Sequence, residues 1–180
     1  LYDFVLTSGE ATYLYLQENQ NLDRKYFYMG PDKDLDLLDG LDYQMTKMSE
    51  SKFIINTGLG DDFLTVESRQ KDLEGGIKYN LPMICVNPDL IVVKQSGLTI
   101  LCAGLLARKY QEMGGEVMYF GKPYKPVYDK VKKIFNAKQD DKFLAIGDGI
   151  ETDIKGANDN NIDSVLIAGG ILGKKLNVKY

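Results

Sequence analysis

Short apolar runs alternate with helix-compatible stretches along almost the whole chain, and this alternation narrows the fold more than any other feature. Runs such as Lys52 to Asn56, Met83 to Val86, Val117 to Phe120 and Phe143 to Ile146 are strand-length and apolar nearly throughout. Strands buried on both faces have that composition, whereas strands wet on one face alternate apolar and polar residues. Helical stretches between such runs signal an α/β fold with parallel strands.

The strands are expected at Phe4 to Leu6, Lys25 to Met29, Lys52 to Asn56, Met83 to Val86, Val117 to Phe120, Phe143 to Ile146 and Val165 to Ala168. The helices are expected at about Glu10 to Gln17, Asp34 to Leu38, Asp61 to Leu73, Leu98 to Met113, Pro126 to Phe135 and Glu151 to Asn158. Gly75-Gly76 and Gly114-Gly115 read as helix stops, and Pro126 suits a first helical turn. Neither an internal repeat nor a low-complexity linker interrupts the pattern. The expected partition is one α/β core made of residues 1–22 and 117–180, interrupted by an inserted α/β cap at residues 23–116.

Composition excludes several chemistries. The 180 residues contain no histidine, so a histidine base, a histidine metal ligand and a Ser-His-Asp triad are all ruled out. Two separated cysteines, Cys85 and Cys102, cannot build a structural zinc site. Both lie in apolar segments and read as free buried thiols, which fits a reducing compartment and sets cytoplasm as the expected location. A net charge of −4 offers no broad basic field for nucleic acid. No apolar run approaches the ~20 residues that span a bilayer. Catalysis would therefore rest on carboxylates, lysines, hydroxyls and an oxygen-bound metal.

Ligands of open parallel sheets bind beyond the carboxyl ends of the strands, which directs attention to two segments. In Phe143-Leu-Ala-Ile-Gly-Asp-Gly-Ile-Glu-Thr-Asp153, Asp148 leaves a buried strand between two glycines, and Asp153 follows in the first turn of a helix. A strand-end carboxylate can hold a hard cation such as Mg²⁺, and a second can orient the metal's waters. The plainer alternative is a turn aspartate followed by a helix cap. In Tyr119-Phe-Gly-Lys-Pro123, Lys122 also leaves a strand end. An ammonium fixed there could neutralise a phosphate and a carboxylate nucleophile together; alone it is a solvated surface lysine. Sequential parallel strands would bring both segments to one sheet edge.

Gly121-Lys122-Pro123 followed by Gly147-Asp148-Gly149-Ile150-Glu151-Thr152-Asp153-Ile154 resembles the third and fourth motifs of the haloacid dehalogenase superfamily. Thr7-Ser8-Gly9-Glu10-Ala11, Tyr28-Met29-Gly30 and Asn87-Pro88-Asp89 extend the resemblance, in order, to its class IIA, which includes sugar-phosphate, phosphoglycolate and pyridoxal-phosphate phosphatases. The resemblance implies a Rossmann-like core with a class II cap and Mg²⁺-dependent hydrolysis of a small phosphorylated metabolite through an aspartyl-phosphate intermediate. By that resemblance Lys122 is the phosphate-bridging lysine, Asp148 a direct Mg²⁺ ligand and Asp153 the acid supporting the metal site. Asn87 and Asp89 would bind substrate near the cap–core cleft. Because caps of this class often take part in dimer contacts, a homodimer is an expected assembly.

The family's nucleophile is an aspartate in Asp-x-Asp directly after the first strand. Asp32-Lys-Asp34 and Asp34-Leu-Asp36 have the spacing but follow Gly30-Pro31 rather than an apolar strand. The first motif is thus expected upstream of Leu1 or on a complementing N-terminal segment, with a core short of its first strands. The second motif, a Ser or Thr after a strand, could be claimed only for Thr7 or Ser8. A non-catalytic remnant that binds phosphate or a partner chain is the alternative. Other phosphate signatures fail: Gly58-Leu59-Gly60 lacks a third glycine at the dinucleotide spacing, and Ala168 to Lys175 lacks the leading Gly and final Ser/Thr of a P-loop.

Overall fold

The computed structural model describes residues 3–19, 23–94 and 97–168. The P-loop-like stretch after Ala168 therefore lies outside the described residues. The chain forms two compact units, Leu1–Phe120 and Gly121–Tyr180.

The first unit is organised by a five-stranded parallel sheet. Its strands are β1 (Lys25–Met29), β2 (Gln44–Met45), β3 (Phe53–Asn56), β4 (Met83–Cys85) and β7 (Val117–Tyr119), in the order β2-β1-β3-β4-β7. Every residue of β3 and β4 is buried, as apolar strands in the middle of a parallel sheet require. One layer of the core comes from α2 (Gln70–Lys78) and α3 (Ala103–Glu112), whose Leu73, Leu106 and Tyr110 are fully buried with Ile54 and Met83. Asn56 ties β3 to α3 by donating its side-chain amide to the Ala103 carbonyl at 3.0 Å. Helix α1 (Ser8–Glu18) also belongs to this unit. Thr7 caps it by accepting the Glu10 N–H at 3.0 Å, and Tyr15 packs on Phe120 with ring centroids 4.9 Å apart. That hydrogen bond uses the Thr7 hydroxyl as a helix cap.

Several local expectations differ from the structure, among them the helix expected from Asp61, which begins only at Val66 as a 3-10 turn. Phe4 to Leu6 is not a strand: Phe4 and Val5 are exposed, and no neighbouring strand pairs with them among the described residues. Leu98 to Leu101 is not the start of α3. Thr99–Leu101 is β6, paired antiparallel with β5 (Ile91–Val93), because β-branched side chains on both segments suit a hairpin better than a helix. Gly75-Gly76 does not stop a helix either, since α2 runs through it to Lys78. A Cβ at Gly76 would come within 2.7 Å of Ile54 and 2.8 Å of the Tyr110 hydroxyl, so this glycine serves helix-to-sheet contact. The stop comes from Asn80 in the left-handed region, φ 53°.

The second unit holds β8 (Leu144–Gly147) and β9 (Asp163–Leu166), paired parallel, with α4 (Lys125–Ile134) and α5 (Lys155–Asp159). Gly156 at the start of α5 is buried where a Cβ would overlap the Tyr128 hydroxyl of α4. Strand β7 pairs with β4 in the first unit, and β8 pairs with β9 in the second. No helix of the described residues is long and apolar enough to cross a membrane.

Tyr110 is fully buried and donates its hydroxyl to the Leu81 carbonyl at 2.6 Å. Tyr110→Phe leaves that buried carbonyl without its donor, a cost of about 1–3 kcal/mol. Urea unfolding should show a lower midpoint with an unchanged slope.

Candidate functional site: a lysine–aspartate pair at a strand end

Strand β8 ends in Gly147, and Asp148 is the next residue. Gly149 then opens a π-helical turn over Ile150–Ile154 that continues into α5. The Gly149 carbonyl accepts from both Asp153 N (2.8 Å) and Ile154 N (3.1 Å), which fixes the start of the turn. The turn swings the Asp153 side chain back over the strand end, where its Oδ2 accepts the Gly149 N–H at 3.0 Å. The approach is close enough that a Cβ on Gly147 would overlap the Asp153 carboxyl group. Gly147 is therefore a requirement of the site, not only of the turn.

Lys122 reaches the same carboxylate. Its Nζ lies 2.5 Å from Asp153 Oδ1, with the Asp153 side chain 14% exposed and the lysine 55% exposed. Partial burial raises the Asp153 pKa. The Lys122 hydrogen bond, the Gly149 N–H, the Lys122 charge and the Asp148 N–H outweigh it, so the carboxyl is held below the ordinary range. The pair is thus a carboxylate gripping an ammonium whose outer side remains open to solvent.

Of the five residues singled out by sequence, the structure brings Lys122, Asp148 and Asp153 together in the second unit. Asn87 and Asp89 lie in the first, on the loop that leaves β4, where the Asn87 side-chain oxygen accepts the Asp89 N–H at 3.1 Å. Asn87 lines a cleft of about 580 Å³ at that end of the sheet, and Asp89 does not. Asp32 to Asp36 occupies a 3-10 turn over Asp32–Leu38, as expected of a solvated helix start. The sequence reading placed Gly147 only in a tight turn and missed its approach to Asp153, and it missed Tyr128 altogether. Nothing in a linear pattern shows that Gly147 faces a carboxylate six residues ahead, or that Tyr128 meets Gly156.

The donor set suits a hard cation in kind, since carboxylate oxygen is what Mg²⁺ prefers. It does not make a closed cage: among the described residues no three His, Cys, Asp or Glu side chains group closely enough to hold a metal. Mg²⁺ is commonly held by one or two carboxylates with water and substrate oxygens completing the shell, so Asp148 and Asp153 fit as part of such a site.

A parallel α/β scaffold with a lysine–carboxylate pair at a strand end is thereby defined, and its kinship follows from comparison. The HAD-hydrolase-like family profile matches residues 119–178. A haloacid dehalogenase-like hydrolase from Brucella suis 1330 is 38% identical over 95% of this chain and 66% of its own, with a TM-score of 0.81. The p-nitrophenyl phosphatase of Archaeoglobus fulgidus shares the fold at 19% identity, covering 97% of this chain and 68% of its own with a TM-score of 0.72. The 4-nitrophenylphosphatase of Thermotoga maritima does so at 21% identity, 91% and 61% coverage and a TM-score of 0.69. No curated protein matches the chain. The chain belongs to the haloacid dehalogenase-like hydrolases, and it spans about two thirds of the length of these relatives.

The lowered Asp153 pKa has a defined consequence for stability. A carboxyl depressed in the folded state stabilises the protein above its unfolded pKa of about 3.9 and loses that contribution as pH falls through the folded value. Exposure of Lys122 keeps the effect to roughly 1 kcal/mol or less. In metal-free buffer, the stability gap between wild type and Asp153→Asn should be largest near neutral pH and shrink below about pH 4. Urea titrations at a series of pH values measure it.

Proposed function

We propose that the chain carries the phosphate clamp, metal-binding carboxylates and cap of a Mg²⁺-dependent phosphoester hydrolase acting on a small phosphorylated metabolite. The observation that carries this reading is the 2.5 Å Lys122–Asp153 pair, placed one helical turn from Asp148 at the end of β8. Asp153 holds the Lys122 ammonium in one position, and its exposed side can meet a phosphoryl oxygen and a nucleophilic carboxylate. Asp148 would ligate Mg²⁺ directly, with Asp153 orienting the ligand shell. When bound, the cation would supply charge neutralisation on the phosphoryl oxygens. Asn87 and Asp89 would contact the substrate from the cap.

The reaction needs an Asp-x-Asp pair. One carboxylate oxygen would form the bond to phosphorus as the ester P–O bond breaks. The second aspartate would give its proton to the departing alcohol and then take one from the water that hydrolyses the aspartyl-phosphate. No such pair follows an apolar strand in the 180 residues. In this reading it comes from upstream of Leu1 or from a complementing segment. The division into a core of residues 1–22 and 117–180 with a cap of 23–116 belongs to the same proposal, as do a class IIA assignment and a homodimer. A reducing, cytoplasmic setting is supported by two free cysteines, with burial pushing the Cys85 thiol up to about 12.

The test uses an aryl phosphate with Mg²⁺. The protein made with its native upstream coding sequence should turn it over, and the 180 residues alone should not. In the active form, Lys122→Ala and Asp148→Asn should each lower kcat/KM by roughly 10²–10³-fold or more. Near-normal activity in either variant sinks the hydrolase assignment.

A further inference from the structure

A lysine side chain is flexible, so a fixed ammonium requires that the backbone carrying it be fixed too. Asp153 lies in the π-helical turn that runs into α5, and Lys122 stands just ahead of α4. The Tyr124 N–H donates to the Gly121 carbonyl at 2.9 Å, which closes the Lys122 segment into a turn. That turn meets α5 at Gly156, three residues beyond Asp153. A Cβ on Gly156 would overlap the Tyr128 hydroxyl and lie 2.8 Å from Tyr128 Cζ and 3.0 Å from Pro123 Cα. The bare backbone of α5 is therefore a common seat for the phenol of α4 and for the residue next to Lys122. All of these residues belong to the second unit.

Magnitudes show why this seat matters. Non-bonded heavy atoms settle about 3.5 Å apart, so a side chain at position 156 would push the phenol or the Pro123 backbone away by roughly an ångström. The Lys122–Asp153 pair has no such margin. Its Nζ–Oδ1 separation is 2.5 Å, and about 1 Å more lies outside hydrogen-bonding range. Asp153 cannot follow, because its Oδ2 accepts the Gly149 N–H at 3.0 Å and its carboxyl fills the space that a Cβ on Gly147 would need. A lysine that stretched to keep the bond would change where its ammonium points. Burial, and then the charge of Asp153, raise the Tyr128 pKa, so the phenol stands uncharged within the field of the same carboxylate.

We propose that Tyr128 and Gly156 are positioning residues for the Lys122 ammonium: the phenol and the Pro123 backbone, seated together on Gly156, fix where the Lys122 turn stands against Asp153. Neither residue touches the reacting atoms. Their effect on turnover rests on the hydrolase reading, whereas their placing of Lys122 does not.

The test is a double-mutant cycle with two readouts. In the 180-residue chain, the ¹H–¹³C resonance of the Lys122 ε-methylene reports the surroundings of the ammonium, and Asp153→Asn gives its position when the pair is lost. Gly156→Ala should move that resonance toward the Asp153→Asn position, and Tyr128→Leu should move it less. The double variant should return it toward wild type, because the added methyl then has room. In the protein made with its native upstream sequence, Gly156→Ala should lower kcat on an aryl phosphate about 100-fold and Tyr128→Leu about tenfold, with kcat falling far more than KM rises. The double variant should recover about tenfold over Gly156→Ala. Urea unfolding of each variant separates a displaced lysine from a lost fold, and if Gly156→Ala does not fold, Tyr128→Leu decides alone. The inference is overturned if Tyr128→Leu leaves both the resonance and kcat at wild-type values, or if the two substitutions act additively. An inactive extended protein, or full activity in Lys122→Ala, would end the hydrolase reading only, because the resonance still reports where Lys122 stands.

Discussion

Burial of β3 on both faces is the constraint from which most of the first unit follows. Phe53, Ile54, Ile55 and Asn56 are all inaccessible, so helices must cover both sides and connections must cross over the sheet. The one polar residue of this strand, Asn56, is kept there by its hydrogen bond to the Ala103 carbonyl, which also sets where α3 begins. Gly76 answers the same constraint from α2, by removing the Cβ that would hold Ile54 and Tyr110 apart. Because the crossovers run in opposite directions from β1 and β3, the sheet opens a cleft at its carboxyl end. The packing requirement and the cleft share one origin.

The described residues of the second unit are built on less. Strands β8 and β9 form a two-stranded parallel sheet on which Leu144, Ile146 and Val165 remain exposed. Two paired strands have little stability in isolation, and parallel strands are ordinarily covered on both faces. Local order at the end of β8 comes instead from short polar links: Gly149 to Asp153, Asp153 to Lys122, and the contact of Tyr128 with Gly156. A lysine placed by a half-buried carboxylate loses less orientational freedom on meeting a phosphate than a free surface lysine would. The same links thus order the backbone and hold the lysine ammonium in place.

Much of this was legible along the chain. The apolar runs located β1, β3, β4, β7 and β8 to within a residue or so, because strands buried on both faces must be apolar throughout. Lys122, Asp148 and Asp153 were legible for a different reason: glycines flank strand-end residues that need a tight turn and close approach. The failures were local and physical. Leu98 to Leu101 has helix-compatible spacing, but its β-branched residues pair with Ile91 to Val93 across a turn that no short window contains. Gly75-Gly76 looked like a stop, because a glycine required for packing is indistinguishable in sequence from one required for a left-handed turn.

Sequence by itself determined the α/β class, the chemistry available without histidine, and the identity of the lysine and aspartates that leave the strand ends. Those depend on residue type and near-neighbour spacing, which a linear pattern records. Only the tertiary structure decided that β7 pairs with β4, and that Gly147 makes room for the Asp153 carboxylate. It alone assembled Lys33, Asp34, Thr57, Phe63, Asn87 and Lys94 around one cleft. Strand order depends on which edges meet once every apolar face is buried, a property of the whole chain that no segment carries alone.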